Sequence, residues 1–138
     1  MKILIDCDVL LDVLLEREPF FTDSAAILDF AEANPGSAAI AWHSVSNIYY
    51  IAAKLSGKDE ARGFIGDLCG FLHVVQTGNP DVLNALAMPM SDFEDALQCA
   101  AALASSADCI VTRNIGDFEK SPIAVSSPEQ FAKVHGIG

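Results

Sequence analysis

The sequence predicts an α/β fold, a three-layer sandwich with a central, mostly parallel sheet and helices on both faces. Three observations predict it. Short apolar runs alternate with longer segments whose apolar residues recur at helical spacing, the pattern that builds strand, helix, strand units. The runs are apolar at consecutive positions, as strands covered on both faces must be. Turn formers, Asn34-Pro35-Gly36 and Gly57 among them, punctuate the segments.

Taken in order, Lys2 to Ile5 is short, apolar and β-branched, and reads as a buried strand. Asp8 is placed to cap a helix over Val9 to Glu16, which Pro19 stops. Thr22 to Ala33 is helical, with Ala26, Ile27, Phe30 and Ala31 on one face. A short strand at Ala38 to Ala41 precedes helices at Ser44 to Ser56 and Lys58 to Cys69. Leu72 to Val75 is the third strand, followed by helices at Pro80 to Ala87 and Asp92 to Ser105. Strands at Cys109 to Thr112 and Ile123 to Val125 lead to a last helix from Pro128. Two capping boxes mark helix starts, Ser91 with Glu94 and Ser127 with Gln130, the latter with Pro128 at the first helical position. Trp42 is assigned to the core, and His43 and His73 to partly buried structural positions.

With 138 residues and 51% hydrophobic content, residues 1–138 are expected to form one domain around one core. The apolar start is broken by Asp6, Asp8 and Asp12 and lacks a small-residue cleavage site, unlike a signal peptide. The longest uncharged stretch, Ala33 to Ala53, holds Pro35, Gly36, His43, Asn47 and three serines, which argues against a membrane span. A cytoplasmic location is the expectation. Cys7, Cys69, Cys99 and Cys109 stand singly in apolar surroundings and read as small hydrophobes, not as disulfide or zinc partners. The net charge of -11 excludes polyanion binding by a broad basic face. A site that meets phosphate through a bound cation remains open, since a divalent ion inverts the local charge.

Ligands of such sheets sit beyond the carboxyl ends of the strands. Three polar clusters fall there: Asp6-Cys7-Asp8, the run from His43 to Asn47, and Thr112-Arg113-Asn114 with Asp117. A carboxylate at the edge of a core is costly unless neutralised, by backbone amides or by a cation, which makes Asp6 the most informative residue. Asp8 reads as a cap and Asp12 as a solvated or supporting acid. Asp92 and Asp95 share a helix face, and Asp95 is followed by residues that enter the core. The capping box accounts for Glu94, so Glu94 is not assigned to the site.

The stretches ILIDCDVLLDVLL, DFEDALQCAAALASSADCIVTRNIGDF and SPIAVSSPEQF, in this order, resemble the PIN-domain family of metal-dependent ribonucleases. Its VapC-like members are the toxin halves of prokaryotic toxin-antitoxin pairs. The resemblance implies a pocket of acids binding Mg2+ or Mn2+, an RNA substrate, an antitoxin protein as partner and a homodimer. It places catalytic acids at Asp6, Asp95 and Asp117, and metal ligands at Asp6, Asp92, Asp95, Asp117 and Asn114. Asp8, Ser44, Asn47 and Thr112 support them. Asn114 stands where the family often has aspartate after the fourth strand, and Asn47 where it has glutamate in the third helix. An amide oxygen ligates a hard cation but brings no charge.

The acids then have a chemical reason. In-line hydrolysis of a phosphodiester puts charge on the attacking and leaving oxygens, and an oxygen-ligated divalent cation stabilises it. Arg113 is assigned to a phosphate contact, with Lys54, Lys58 and Arg62 as a weaker patch. Two other readings compete. A catalytically silent PIN-like domain that binds protein or RNA is favoured by Asn47 and Asn114. A phosphatase of the haloacid dehalogenase type also opens with Asp-x-Asp, here Asp6-Cys7-Asp8, but requires a lysine at a strand end that the sequence does not supply.

Overall fold

The computed structural model describes residues 1–137. Its strands are β1 (Ile3–Ile5), β2 (Ala38–Ile40), β3 (His73–Val74), β4 (Cys109–Val111) and β5 (Ala124–Ser126). They form one sheet in the order β3-β2-β1-β4-β5, with every neighbouring pair parallel. Ile3 pairs with Ala38 on one side and with Cys109 on the other, which fixes β1 at the centre.

Alternation along the strands divides the core in two. Ile3, Ile5, Ile40 and Val111 face α1 (Cys7–Leu14), α2 (Phe21–Ala33), α3 (Trp42–Ser56), α4 (Lys58–Cys69) and α7 (Pro128–His135). Leu4, Ala39 and Ile110 face the other way, toward α6 (Phe93–Ala104). Buried Ala96 and Ala100 of α6 meet Ala85 of α5 (Asn79–Ala87) on that side, while Ala101 and Ala102 pack on the strands. The three-layer α/β sandwich expected from the sequence is therefore present.

β2 and β3 extend the sheet to one side of β1, and β4 and β5 to the other. The winding reverses between β1 and β4, and such a switch point opens a crevice beyond the strand ends.

Several local expectations need correction. Asp6, not Asp8, caps α1: its side chain accepts from the Cys7 amide at 2.7 Å. Asp92, not Ser91, caps α6, accepting from the amides of Glu94 and Asp95, so the predicted Ser91-Glu94 box does not form. Two good capping residues stood close together in each case, and backbone geometry chose between them. At α7 the expected cap does form, with Gln130 N donating to Ser127 Oγ. Helix α3 begins at Trp42, ahead of the expected Ser44, which turns Trp42 outward, 69% exposed, instead of into the core. His73 and Cys69 are also exposed, at the sheet edge and the end of α4. Asp12, expected to be a solvated or supporting acid, is fully buried, which rules out the solvated alternative. Among the described residues no helix is long and apolar enough to cross a membrane.

Candidate active site

Asp6 leaves β1 at the switch point and is almost wholly buried. Three donors hold its carboxylate: the Cys7 amide at 2.7 Å and Gln98 Nε2 at 3.2 Å on Oδ1, and Thr112 Oγ1 at 2.8 Å on Oδ2. Thr112 follows β4, whose pairing with β1 puts the two strand ends side by side. Its hydroxyl in turn accepts from the Asn114 amide at 3.1 Å, so the turn after β4 is clamped to Asp6. Gln98, buried on α6, also donates to Ser44 Oγ at 2.8 Å, which ties the first turn of α3 to the same centre. Ser44 and Thr112 thus serve Asp6 from below and do not face the open cavity. Sequence reasoning missed Gln98; its signal was a lone amide in an alanine-rich helix face one turn beyond Asp95.

At Asp6 lies a cavity of about 300 Å³ lined by Asp6, Asp8, Asp92, Glu94, Asp95, Asn114 and Asp117, together with Cys7, Leu11, Arg17 and Ile51. Four elements supply the acids: the end of β1 with α1, the first turn of α6, and the short 3-10 turn Ile115–Phe118 after β4. The predicted ligands Asp6, Asp92, Asp95, Asp117 and Asn114 are all brought to this one cavity. Glu94 was not predicted. Freed from the expected capping role, it lines the cavity and accepts from Asn47 Nδ2 at 2.9 Å. Asn47 therefore contributes through Glu94.

Electrostatics at the site are those of crowded acids. Burial pushes the Asp6 carboxyl above its usual range despite the Thr112 and Cys7 hydrogen bonds, and Glu94 adds repulsion. Asp8 is raised to about 6, by burial first and then by Asp6. Asp95 is raised to about 7, by burial first and then by Asp92, Asp6, Asp117 and Glu94. Asp8 Oδ2 accepts from the Arg113 amide at 3.1 Å, while its Oδ1 is buried without a partner, as is Gln98 Oε1. Unpaired buried oxygens are rare and call for a cause.

Arg113 does not face the cavity. Its Nε and Nη2 donate to Asp12 at 2.6 and 3.0 Å, and its guanidinium lies 3.9 Å over the Phe20 ring. This engagement corrects the expected phosphate contact, since the fork is used internally. Lys54, Lys58 and Arg62 are exposed on α3 and α4 and do not line the cavity, where Arg17 is the nearer cation.

The donor set fits a hard divalent cation. The acids and Asn114 offer oxygen ligands, burial and then neighbouring acids raise the Asp8 and Asp95 carboxyls, and one buried carboxylate oxygen has no partner. Among the described residues, no three carboxylate, imidazole or thiol groups converge closely enough to grip an ion unaided. Mg2+ sites commonly take one or two carboxylates and fill the remaining positions with water.

Comparison with known proteins bears on the same features. A family model described as the PIN domain matches residues 2–116, which carries every element from β1 through β4 and ends within the short turn that follows. Among solved structures, the chain is similar to a toxin-antitoxin complex from Klebsiella pneumoniae, at 20% identity and a TM-score of 0.71, covering 92% of this chain and 98% of that one. It is similar to VapBC2 from Rickettsia felis bound to a promoter DNA fragment, at 15% identity and 0.73, with the same coverage. DNA-bound VapBC from Salmonella typhimurium gives 15% identity and 0.72, covering 93% and 98%. No curated protein matches the sequence.

Proposed function

Because the chain belongs to the PIN-domain family, we propose that it is a metal-dependent endoribonuclease that hydrolyses phosphodiester bonds of RNA and acts as the toxin of a toxin-antitoxin pair. The observation that carries this reading is the convergence of Asp6, Asp92, Asp95 and Asp117 on one cavity at the switch point between β1 and β4. A bound Mg2+ or Mn2+ supplies charge stabilisation for the transition state and lowers the pKa of water.

The chain's own residues do the rest. Asp6, locked by three donors, presents a carboxylate whose orientation does not have to be bought at the moment of reaction. Asp95 and Asp117 line the same cavity from separate elements and would hold the cation together with Asp6 and water. Arg17, which also lines the cavity, is the cation placed to meet a neighbouring phosphate.

The antitoxin partner and a homodimer belong to the same proposal. Support for the antitoxin partner is that the similar solved structures are toxin-antitoxin complexes; the homodimer rests on the family resemblance. The silent binding domain is the second reading, favoured by the amides Asn47 and Asn114. The phosphatase reading has no support at the cavity, which no lysine lines.

Cleavage of a labelled, unstructured RNA pool with Mn2+, Mg2+ or EDTA separates these readings, with wild type and Asp6→Asn purified identically. The nuclease cuts only with metal, and the variant does not cut. A wild type that neither cuts nor gains melting temperature from Mn2+ is the silent domain.

A further inference from the structure

Glu94 lies in the first turn of α6 and lines the cavity. An acid in the first turn of a helix serves the dipole wherever its side chain points. Glu94 instead reaches across to α3, where Asn47 Nδ2 donates to its Oε1 at 2.9 Å. Asp92 supplies the cap, so the helix start does not require Glu94 either. Holding another carboxylate beside Asp6, Asp92, Asp95 and Asp117 increases repulsion, which a fold tolerates when a cation offsets it. Asn47 engages only Oε1, and Oε2 has no protein donor among the described residues.

We propose that Glu94, oriented by Asn47, supplies a carboxylate to the divalent cation of this site, so that an amide on α3 and an acid on α6 share the work of one acid on α3. The inference rests on the metal-dependent reading above. Glu94 is then a ligand and Asn47 a positioning residue: the amide holds Oε1 and leaves Oε2 without a protein partner among the described residues. Outer partners of this kind commonly change metal affinity by roughly 10- to 100-fold when removed.

Calorimetric titration of Mn2+ into the full chain tests this without relying on catalysis. The set is wild type, Asp6→Asn, Glu94→Gln, Asn47→Ala and the exchange variant Asn47→Glu/Glu94→Gln, each checked for an intact melting transition in EDTA. Glu94→Gln is expected to bind Mn2+ at least roughly tenfold more weakly, and Asn47→Ala to lose affinity to a smaller extent. The exchange variant, which returns the carboxylate to α3 and keeps an amide opposite it, recovers affinity relative to Glu94→Gln. Glu94→Gln binding as wild type while Asp6→Asn loses the ion overturns the inference and leaves the metal site standing. An exchange variant no better than Glu94→Gln overturns the shared role. A wild type that takes up no Mn2+ overturns both this inference and the reading beneath it.

Discussion

Asp12 and Arg113 form the best-buried ion pair of the structure, a bidentate contact under the site with Ser24 Oγ donating to the same carboxylate at 3.1 Å. Removing this guanidinium leaves the fully buried Asp12 carboxylate only Ser24 Oγ and the longer 4.0 Å contact to Arg17 Nη1, so Arg113→Ala is expected to destabilise the fold by about 3 kcal/mol, read by urea denaturation. A loss under about 1 kcal/mol, typical of a surface pair, would contradict the assignment. The residue-level record of the sequence follows from range. Asp6 and Asp95 were legible because an acid at a strand end or entering a core needs a local explanation. Arg113 was misread because its partner lies 101 residues away on α1, and nothing in Thr112-Arg113-Asn114 shows that the guanidinium turns inward. Glu94 was passed over because a plausible local cap, Ser91, explained it too well.

Helix α6 carries both the site and the close packing that places it. Asp92 accepts from the amides of Glu94 and Asp95, so Asp92→Ala is expected to cost about 1 kcal/mol of stability through the lost cap, measured in EDTA to isolate it from metal effects. Ala101 and Ala102 are buried against the strands, leaving no room for a larger side chain. Ala101→Leu is expected to lower stability by about 1–3 kcal/mol and, by lifting the helix, to weaken Mn2+ binding as well. A variant as stable as wild type would show that α6 is not tightly seated. Element order and type were legible from periodicity throughout, whereas helix starts were not. Ser91 and Asp92, or Asp6 and Asp8, are interchangeable as caps in sequence, and only the backbone path into each helix decides. The outward face of Trp42 followed from the same shift, since beginning α3 two residues earlier rotates it out of the core.

Across the whole molecule, Asp6, Asp8, Asp92, Glu94, Asp95 and Asp117 are six of the 19 acidic residues, and they meet at one cavity. Asp8 near 6 and Asp95 near 7 hold protons in the folded chain that the unfolded chain, with a carboxyl near 3.8, has released. The folded state therefore binds more protons between about pH 4 and 7, and metal-free stability falls as pH rises through that window. Ligation requires the ionised acids, so the melting-temperature gain from Mn2+ is expected to be small at pH 5 and to grow toward pH 8. A pH-independent gain, read by differential scanning fluorimetry with EDTA controls, would count against these acids as ligands. The sheet order that gathers them was not written in any one segment, because it depends on which strands pair across the chain. The most direct test of the central claim, that this cavity is a metal-binding active site, is anomalous diffraction from crystals soaked in Mn2+. The account predicts a peak beside Asp6 and Asp95 at the β1 and β4 ends. A well-ordered cavity without one, or an ion bound only elsewhere, would contradict it.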